Sequence, residues 1–183
     1  MTSESPALPG VEIGSPLEAD LEPMRLIYAR EVEQGTASFE LAPPDGADFA
    51  RRCRTVLDAG LPWLVAKRDE QVLGYAYAGV YRPRPAYRFT VEDSVYVHPA
   101  ARGQGLGRAL LAAVVDEATR AGRRQMVAVV GDSANTGSIA LHEALGFRRV
   151  GTFENVGFKF GRWLDTVLLQ RPLGEGASRP PQD

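Results

Sequence analysis

The sequence predicts an α/β fold: a mixed, largely antiparallel, twisted sheet flanked by helices, with one parallel crossover. Three observations carry that prediction. Two amphipathic helical segments come first, then two strand-like runs close enough to form a hairpin, rich in β-branched and aromatic residues. A long amphipathic helix then joins two further strand runs, and only parallel neighbours need so long a connection.

The first helix is read from residues 15–35, where Leu21, Met24, Ile27, Tyr28 and Val32 recur at helical spacing and Gly35 is a stop. Residues 43–60 repeat the design with Phe49, Cys53, Val56 and Leu57, ending at Gly60. PWLVAKR and QVLGYAYAGVY, parted by Asp69 and Glu70, form the hairpin. FTVEDSVYV alternates, with Val91, Asp93, Val95 and Val97 on one face and Thr90, Glu92, Ser94 and Tyr96 on the other. LGRALLAAVVDEATRAG is the crossover helix, stopped at Gly122, followed by the strand QMVAVVG, the helix SIALHEALG and a last strand pair up to Leu169. Residues 11–173 read as one domain, with Pro-, Gly- and Ser-rich tails at 1–10 and 174–183.

Of 183 residues, 44% are hydrophobic and 24% charged, enough to build one substantial core. Lys and Arg number 21 against 23 Asp and Glu, a net charge of -2, so no overall positive field favours nucleic acid or an anionic membrane. One cysteine makes no internal disulfide, and with two histidines it leaves few ligands for zinc. No apolar run approaches a membrane span, and Met1 to Gly10 shows no signal-peptide pattern, so a cytoplasmic, metal-free chain is expected.

The most informative stretch is Arg102, Gly103, Gln104, Gly105, Leu106, Gly107 and Arg108, between a strand and a helix. Glycines there let backbone amides turn toward an anion at the helix N-terminus, where the helix dipole favours negative charge. A phosphate site is implied. The spacing does not fit a dinucleotide fingerprint, because the third glycine position falls on Arg108 or Leu110, and no Walker string occurs.

This R-x-x-G-x-G after a strand ending V-Y-V resembles the acetyl-CoA pyrophosphate loop of the GNAT superfamily of N-acetyltransferases. The downstream N-T-G-S-I-A-L-H-E-A-L-G-F is a second marker of that superfamily in the right order. YRPRPAYRFTVEDSVYV and GFKFGRWLD narrow the resemblance to the phosphinothricin N-acetyltransferase branch, which acts on small amino-acid-like amines. The resemblance implies a central strand splayed from its neighbour by a bulge, with Val95, Tyr96 and Val97 lining the pantetheine of acetyl-CoA, and Asn135 and Ser138 contacting the cosubstrate. It implies a homodimer as well. The apolar last strand pair, with Phe158, Phe160, Trp163, Leu164, Val167 and Leu168, reads either as that interface or as core.

Acetyl transfer to an amine requires a base, oxyanion stabilisation and a proton for the departing thiolate. Glu92 in T-V-E-D-S-V-Y-V is the candidate base, against the alternative of a solvated glutamate; Asp93, on the other face, is read as structural. His142 stands where the resemblance places the proton donor, against the alternative of a packed helix histidine. In this branch histidine replaces the tyrosine of most GNAT enzymes. Arg82, Arg84 and Tyr87, just upstream of Glu92, suit an acceptor carrying carboxylate, phosphinate or sulfone oxygens. His98 is read as structural, Cys53 as core, and Arg51, Arg52 and Arg54 as a solvated face. Direct transfer in a ternary complex to phosphinothricin, methionine sulfoximine or methionine sulfone is the leading expectation. A non-catalytic CoA-binding module and a protein N-terminal acetyltransferase are the alternatives.

Overall fold

A computed structural model describes residues 8–181. The part of the expected N-terminal tail before Leu8, and the last two residues, lie outside the described residues. Leu8 is partly buried against the main apolar cluster, and beyond Leu173 the chain continues in turns, with Glu175 paired to Arg124 at 3.1 Å.

β1 (Glu12–Gly14) is a three-residue edge strand too short to show a period, and sequence reading missed it. α1 (Leu21–Gln34) and α2 (Gly46–Asp58) follow as expected; Asp45 caps α2 by accepting the Asp48 N–H at 2.8 Å. Met24, Ile27, Tyr28, Val32, Phe49 and Cys53 are buried, whereas Leu57 is exposed. β2 (Trp63–Arg68) and β3 (Gln71–Val80) form the hairpin, turned through Asp69 and Glu70, both at positive φ (47° and 63°), as the tight two-residue turn between twisted strands requires. β4 (Thr90–Val97), α3 (Leu106–Arg120) and β5 (Gln125–Gly131) make the crossover. α4 (Thr136–Ala144), β6 (Arg148–Lys159) and β7 (Arg162–Pro172) complete the fold.

The seven strands run in the order β1-β2-β3-β4-β5-β7-β6, and every neighbouring pair is antiparallel except β4 with β5. The alternating Tyr-Ala-Tyr-Ala of β3 explains how the two faces are filled. Ala66, Ala76 and Ala78 let α3 approach with Leu110, Leu111 and Val114, while the opposite face carries Trp63, Tyr75 and Tyr96 beneath α1 and α2. There Trp63 stacks on Tyr77 with ring centroids 4.2 Å apart, and Phe49 meets Trp63 edge-on at 5.7 Å. Cys53 belongs to this aromatic cluster, and desolvation pushes its thiol up to about 11, which leaves it unreactive.

Gly74 of β3 marks where α3 and β4 press closest. A Cβ there would stand 2.8 Å from the Tyr96 carbonyl oxygen and 3.3 Å from Leu110 Cδ1, so backbone would have to move. Gly74→Ala is expected to lower the unfolding free energy by about 1–3 kcal/mol, the cost of overpacking a close-packed core. Chemical denaturation measures it; a variant as stable as wild type would show that the strands yield freely at this point.

Candidate active site

The site begins where the sheet comes apart. β4 and β5 pair only from Thr90↔Gln125 to Asp93↔Ala128; beyond them β5 stays with β7 as far as Gly131↔Thr166, and β4 stays with β3. The β3–β4 register runs without interruption from Val80↔Val91 to Gly74↔Val97, so the splay arises without the expected bulge against β3. Because the His98 N–H bonds the Leu73 carbonyl at 2.8 Å, alternation along an antiparallel ladder turns the backbone groups of Ser94 and Tyr96 toward β3. Those of Val95 and Val97 are turned into the gap. Tyr96 therefore lines the gap without offering its backbone to it, a distinction that the spacing alone did not make.

The glycine loop closes one end of this gap. His98 caps the short turn Pro99–Ala101, its Nδ1 accepting the Ala100 N–H at 3.3 Å. Gly105, at φ 85°, is the left-handed entry to α3 and leaves the first helical amides pointing outward. Gly107, in the first turn of α3, faces Leu141 and Val97, where a Cβ would make ordinary contacts at 3.4 and 3.6 Å. The result is a cavity of about 480 Å³ running from the loop to the β4 edge. Val95, Tyr96, Val97, Arg102, Gly103, Gly105, Leu106, Gly107, Arg108, Asn135 and Ser138 all line it. Gln104 does not; its amide folds back to donate to the Ala100 carbonyl at 3.0 Å. Glu31 and Ala37, which sequence reading did not single out, line it from the α1 side.

A second, smaller cavity of about 50 Å³, a throat between β4 and β5, shares Val95, Tyr96, Asn135 and Ser138 with the first and reaches Asp93, Ser94, Gly131 and His142. Asn135 caps α4 by accepting the Ser138 N–H at 3.3 Å, which fixes the helix beside the throat. His142 is 3% exposed, with Nδ1 2.7 Å from the Ser138 carbonyl and Nε2 2.9 Å from Asp93 Oδ2. A carbonyl only accepts, so Nδ1 carries a proton, and a second proton is shared between Nε2 and the carboxylate. Burial pulls this imidazole down, but the Asp93 hydrogen bond and charge and the Ser138 carbonyl outweigh it, so His142 titrates above the ordinary histidine value. Asp93 Oδ1 is buried and bonded to nothing among the described residues. Asp93, read as structural, is thus the direct partner of the candidate acid.

Glu92 occupies the other face of β4, half-buried. Desolvation, then the neighbouring Asp93 charge, raise its carboxyl above the usual range, and the Arg82 guanidinium pulls the other way. Arg82 therefore stands near Glu92, its guanidinium 5.2 Å from the Tyr81 ring centroid, while Tyr87 packs edge-on against Tyr81 at 5.6 Å. Arg84 and Tyr87 are exposed. Ser94 lies beside the hydroxyls of both Tyr77 and Tyr96 on this face. Arg52, expected in a solvated face, instead pairs with Glu40 and Asp48.

The segment between α1 and α2 walls the site through residues with no sequence signal. Phe39 is wedged between two strands at glycines: a Cβ on Gly157 would lie 2.3 Å from its ring, and one on Gly131 2.9 Å. Lys159 anchors the same segment, donating to the carbonyls of Gly35 at 2.9 Å and Ser38 at 2.7 Å. Among the described residues no cluster of three or more His, Cys, Asp or Glu is placed to hold a metal, and no helix is long and apolar enough to cross a membrane.

Comparison with known proteins agrees with this geometry. Residues 26–147 match the acetyltransferase (GNAT) family. The chain is 56% identical over 163 residues to the phosphinothricin N-acetyltransferase of Alcaligenes faecalis, covering 89% of this chain and 83% of that one. It is 42% identical, over 88% of this chain and 94% of the other, to the L-methionine sulfoximine/L-methionine sulfone acetyltransferase of Pseudomonas aeruginosa PAO1. A crystal structure of a GNAT superfamily phosphinothricin acetyltransferase from Sinorhizobium meliloti, in complex with AcCoA, superposes with a TM-score of 0.92 at 46% identity, covering 95% of this chain and 94% of that one. With its fold, its splayed strand and its glycine loop in these positions, the chain belongs to the GNAT family of acetyltransferases.

Proposed function

We propose that the protein transfers an acetyl group from acetyl-CoA to the primary amine of a small amino-acid-like acceptor of the phosphinothricin, methionine sulfoximine or methionine sulfone type, by direct attack in a ternary complex. The observation that carries this reading is the cavity from the amides of α3 to the unpaired edge of β4, with the throat that shares its lining beside it. A pyrophosphate suits the helix N-terminus at residues 103–108, and the amides of a pantetheine arm suit Val95 and Val97 as an added strand would. The thioester then lies at the throat, where the Val95 N–H, turned into the gap, stabilises the charge developing on the acetyl oxygen.

The acceptor nitrogen forms its bond to the acetyl carbon as the carbon–sulfur bond breaks. Glu92 takes the ammonium proton, a role that its raised affinity for protons favours, since a base that titrates closer to neutrality accepts more readily. The departing thiolate requires a proton, and we assign it to the Asp93–His142 pair acting as one unit. Both ring nitrogens are hydrogen-bonded within the fold, so the proton given up is the one that Nε2 shares with Asp93 Oδ2; its transfer to sulfur leaves a neutral imidazole beside the carboxylate, and the second amine proton, lost as the amide forms, replaces it. Arg82 and Arg84 meet the acceptor's polar oxygens. A cytoplasmic setting is the one that suits a cosubstrate of this kind.

Methionine sulfone is expected to be acetylated with a kcat/KM higher than methionine by about tenfold or more, the scale of a charge-assisted hydrogen bond from a guanidinium to an oxygen that methionine lacks. Equal values would refute the acceptor class while leaving amine acetylation standing. Glu92→Gln should lower kcat/KM by about 10²–10⁴-fold near neutrality, with partial recovery as rising pH deprotonates the free amine. An unchanged pH profile in that variant would remove the base role.

The raised His142 value has a sign that stability measurements can read. A folded value above the unfolded one stabilises fully below about pH 6.5, and the contribution is lost as pH rises through the folded value. Asp93→Asn, which leaves a buried imidazolium without its carboxylate, should therefore be less stable than wild type by about 3 kcal/mol below the unfolded value, with the gap narrowing as pH rises through the folded value. A gap constant with pH in urea titrations would show that the pair does not hold the proton.

We also propose a homodimer through the β6–β7 hairpin. Phe153, Val156, Phe158, Phe160 and Trp163 are all more than half exposed on the strand pair that ends the sheet, whereas Leu164 and Val167 are core. Light scattering at micromolar concentration should give twice the chain mass, and Phe158→Glu about half of that; a monomeric wild type would end the proposal.

A further inference from the structure

Glu31 is an anion in a cavity suited to a polyanion. Its side chain is 15% exposed and lines the same cavity as the glycine loop. It sits in the last turn of α1, where helix carbonyls already make the field negative: the Glu31 carbonyl accepts the Gly35 N–H at 3.0 Å, and a Cβ on Gly35 would stand 2.5 Å from Glu31 Oε2. The charge is answered by Arg102, whose Nη2 pairs with the Glu31 carboxylate. Lys159, a second cation within electrostatic reach, is already bonded to the Gly35 and Ser38 carbonyls. The Nε of Arg102 donates to the Val97 carbonyl at 3.2 Å. One guanidinium thus joins α1 to β4 across the cavity, and it occupies a backbone acceptor that an added strand would use.

We propose that the Glu31–Arg102 pair is a latch across the cosubstrate cleft, opened when the pyrophosphate of acetyl-CoA takes Arg102, and that the Glu31 carboxylate left behind limits affinity for CoA and favours its release. This rests on the acetyl-CoA reading above. Two arrangements compete for the same side chain. With the latch closed, Arg102 satisfies Glu31 and the Val97 carbonyl. With it open, Arg102 donates to a phosphate, the Val97 carbonyl is free for the pantetheine, and Glu31 faces the bound phosphates without its counter-charge. A residue whose charge opposes the ligand in the open state sets affinity by its repulsion and by its hold on Arg102 in the closed state.

Calorimetric titration of the full chain with acetyl-CoA and with CoA tests the latch. Glu31→Gln should bind both about three- to fivefold more tightly than wild type at low ionic strength, the scale of a partly exposed ion pair, because both carry the same phosphates. The ratio should fall toward one at about 0.5 M salt. Arg102→Ala should change affinity in the opposite direction, weakening it. Glu31→Ala, a second variant that also removes hydrogen bonding, is expected on the same side as Glu31→Gln, and thermal melting checks that each is folded. Were Glu31 merely holding Arg102 ready for phosphate, both substitutions would weaken binding; that result, or an unchanged Glu31→Gln, overturns the latch. Wild-type binding without a gain in Glu31→Gln removes the latch alone. Failure of every protein to bind either ligand removes the acetyl-CoA reading as well.

Discussion

The parallel pairing of β4 with β5 lasts four residues, and the site depends on its ending there. Each strand has an antiparallel partner that holds it longer, β3 for β4 and β7 for β5, so sheet twist draws the two apart beyond Asp93 and Ala128. Backbone groups that cannot stay unpaired in a dry interior then line an open cleft instead. The crossover helix α3 starts at the mouth of that cleft because the strand it follows is the one that diverges. Its exposed amides and the free strand edge consequently face the same space.

β4 also divides the chemistry between its two faces. Glu92 and Asp93 are neighbours in sequence, and the pleat sends one toward α1 and α2 and the other toward α4. The two carboxylates still act on each other: the charge of Asp93 adds to burial in raising Glu92. His142 gives Asp93 a proton-bearing partner, so the α4 face can hold that charge in a buried position. Glu92 and the Asp93–His142 pair are thereby separated by one strand's thickness.

On the α1 side the wall is made by contacts between segments far apart in the chain. Phe39 needs Gly131 and Gly157 to lie flat against the sheet, and Lys159 needs the carbonyls of Gly35 and Ser38 to be buried at all. Arg102 and Glu31 are 71 residues apart. Such pairs have no local signature, because neither residue is unusual in its own neighbourhood. Sequence reading accordingly found the loop and not the acid beside it, and placed Arg52 in solvent although it pairs with Glu40.

What the sequence by itself determined was everything governed by local period and local stereochemistry. Helical spacing located α1 to α4, β-branched and aromatic runs located β2 and β3, alternation located β4, and the glycines between a strand and a helix announced an anion-binding helix entry. β1, three residues long, carried too short a pattern to be read. The tertiary structure decided which backbone groups of β4 are free, since that follows from the register with β3 and from where β5 leaves. It also divided the aromatic end of the chain, burying Leu164 and Val167 while leaving Phe158 and Trp163 on the surface, because composition does not say which face of an edge hairpin meets the core. Asp93 became the partner of His142 by the same logic: alternation put it on the far face of β4, and only the packing of α4 over that face decided what it meets there.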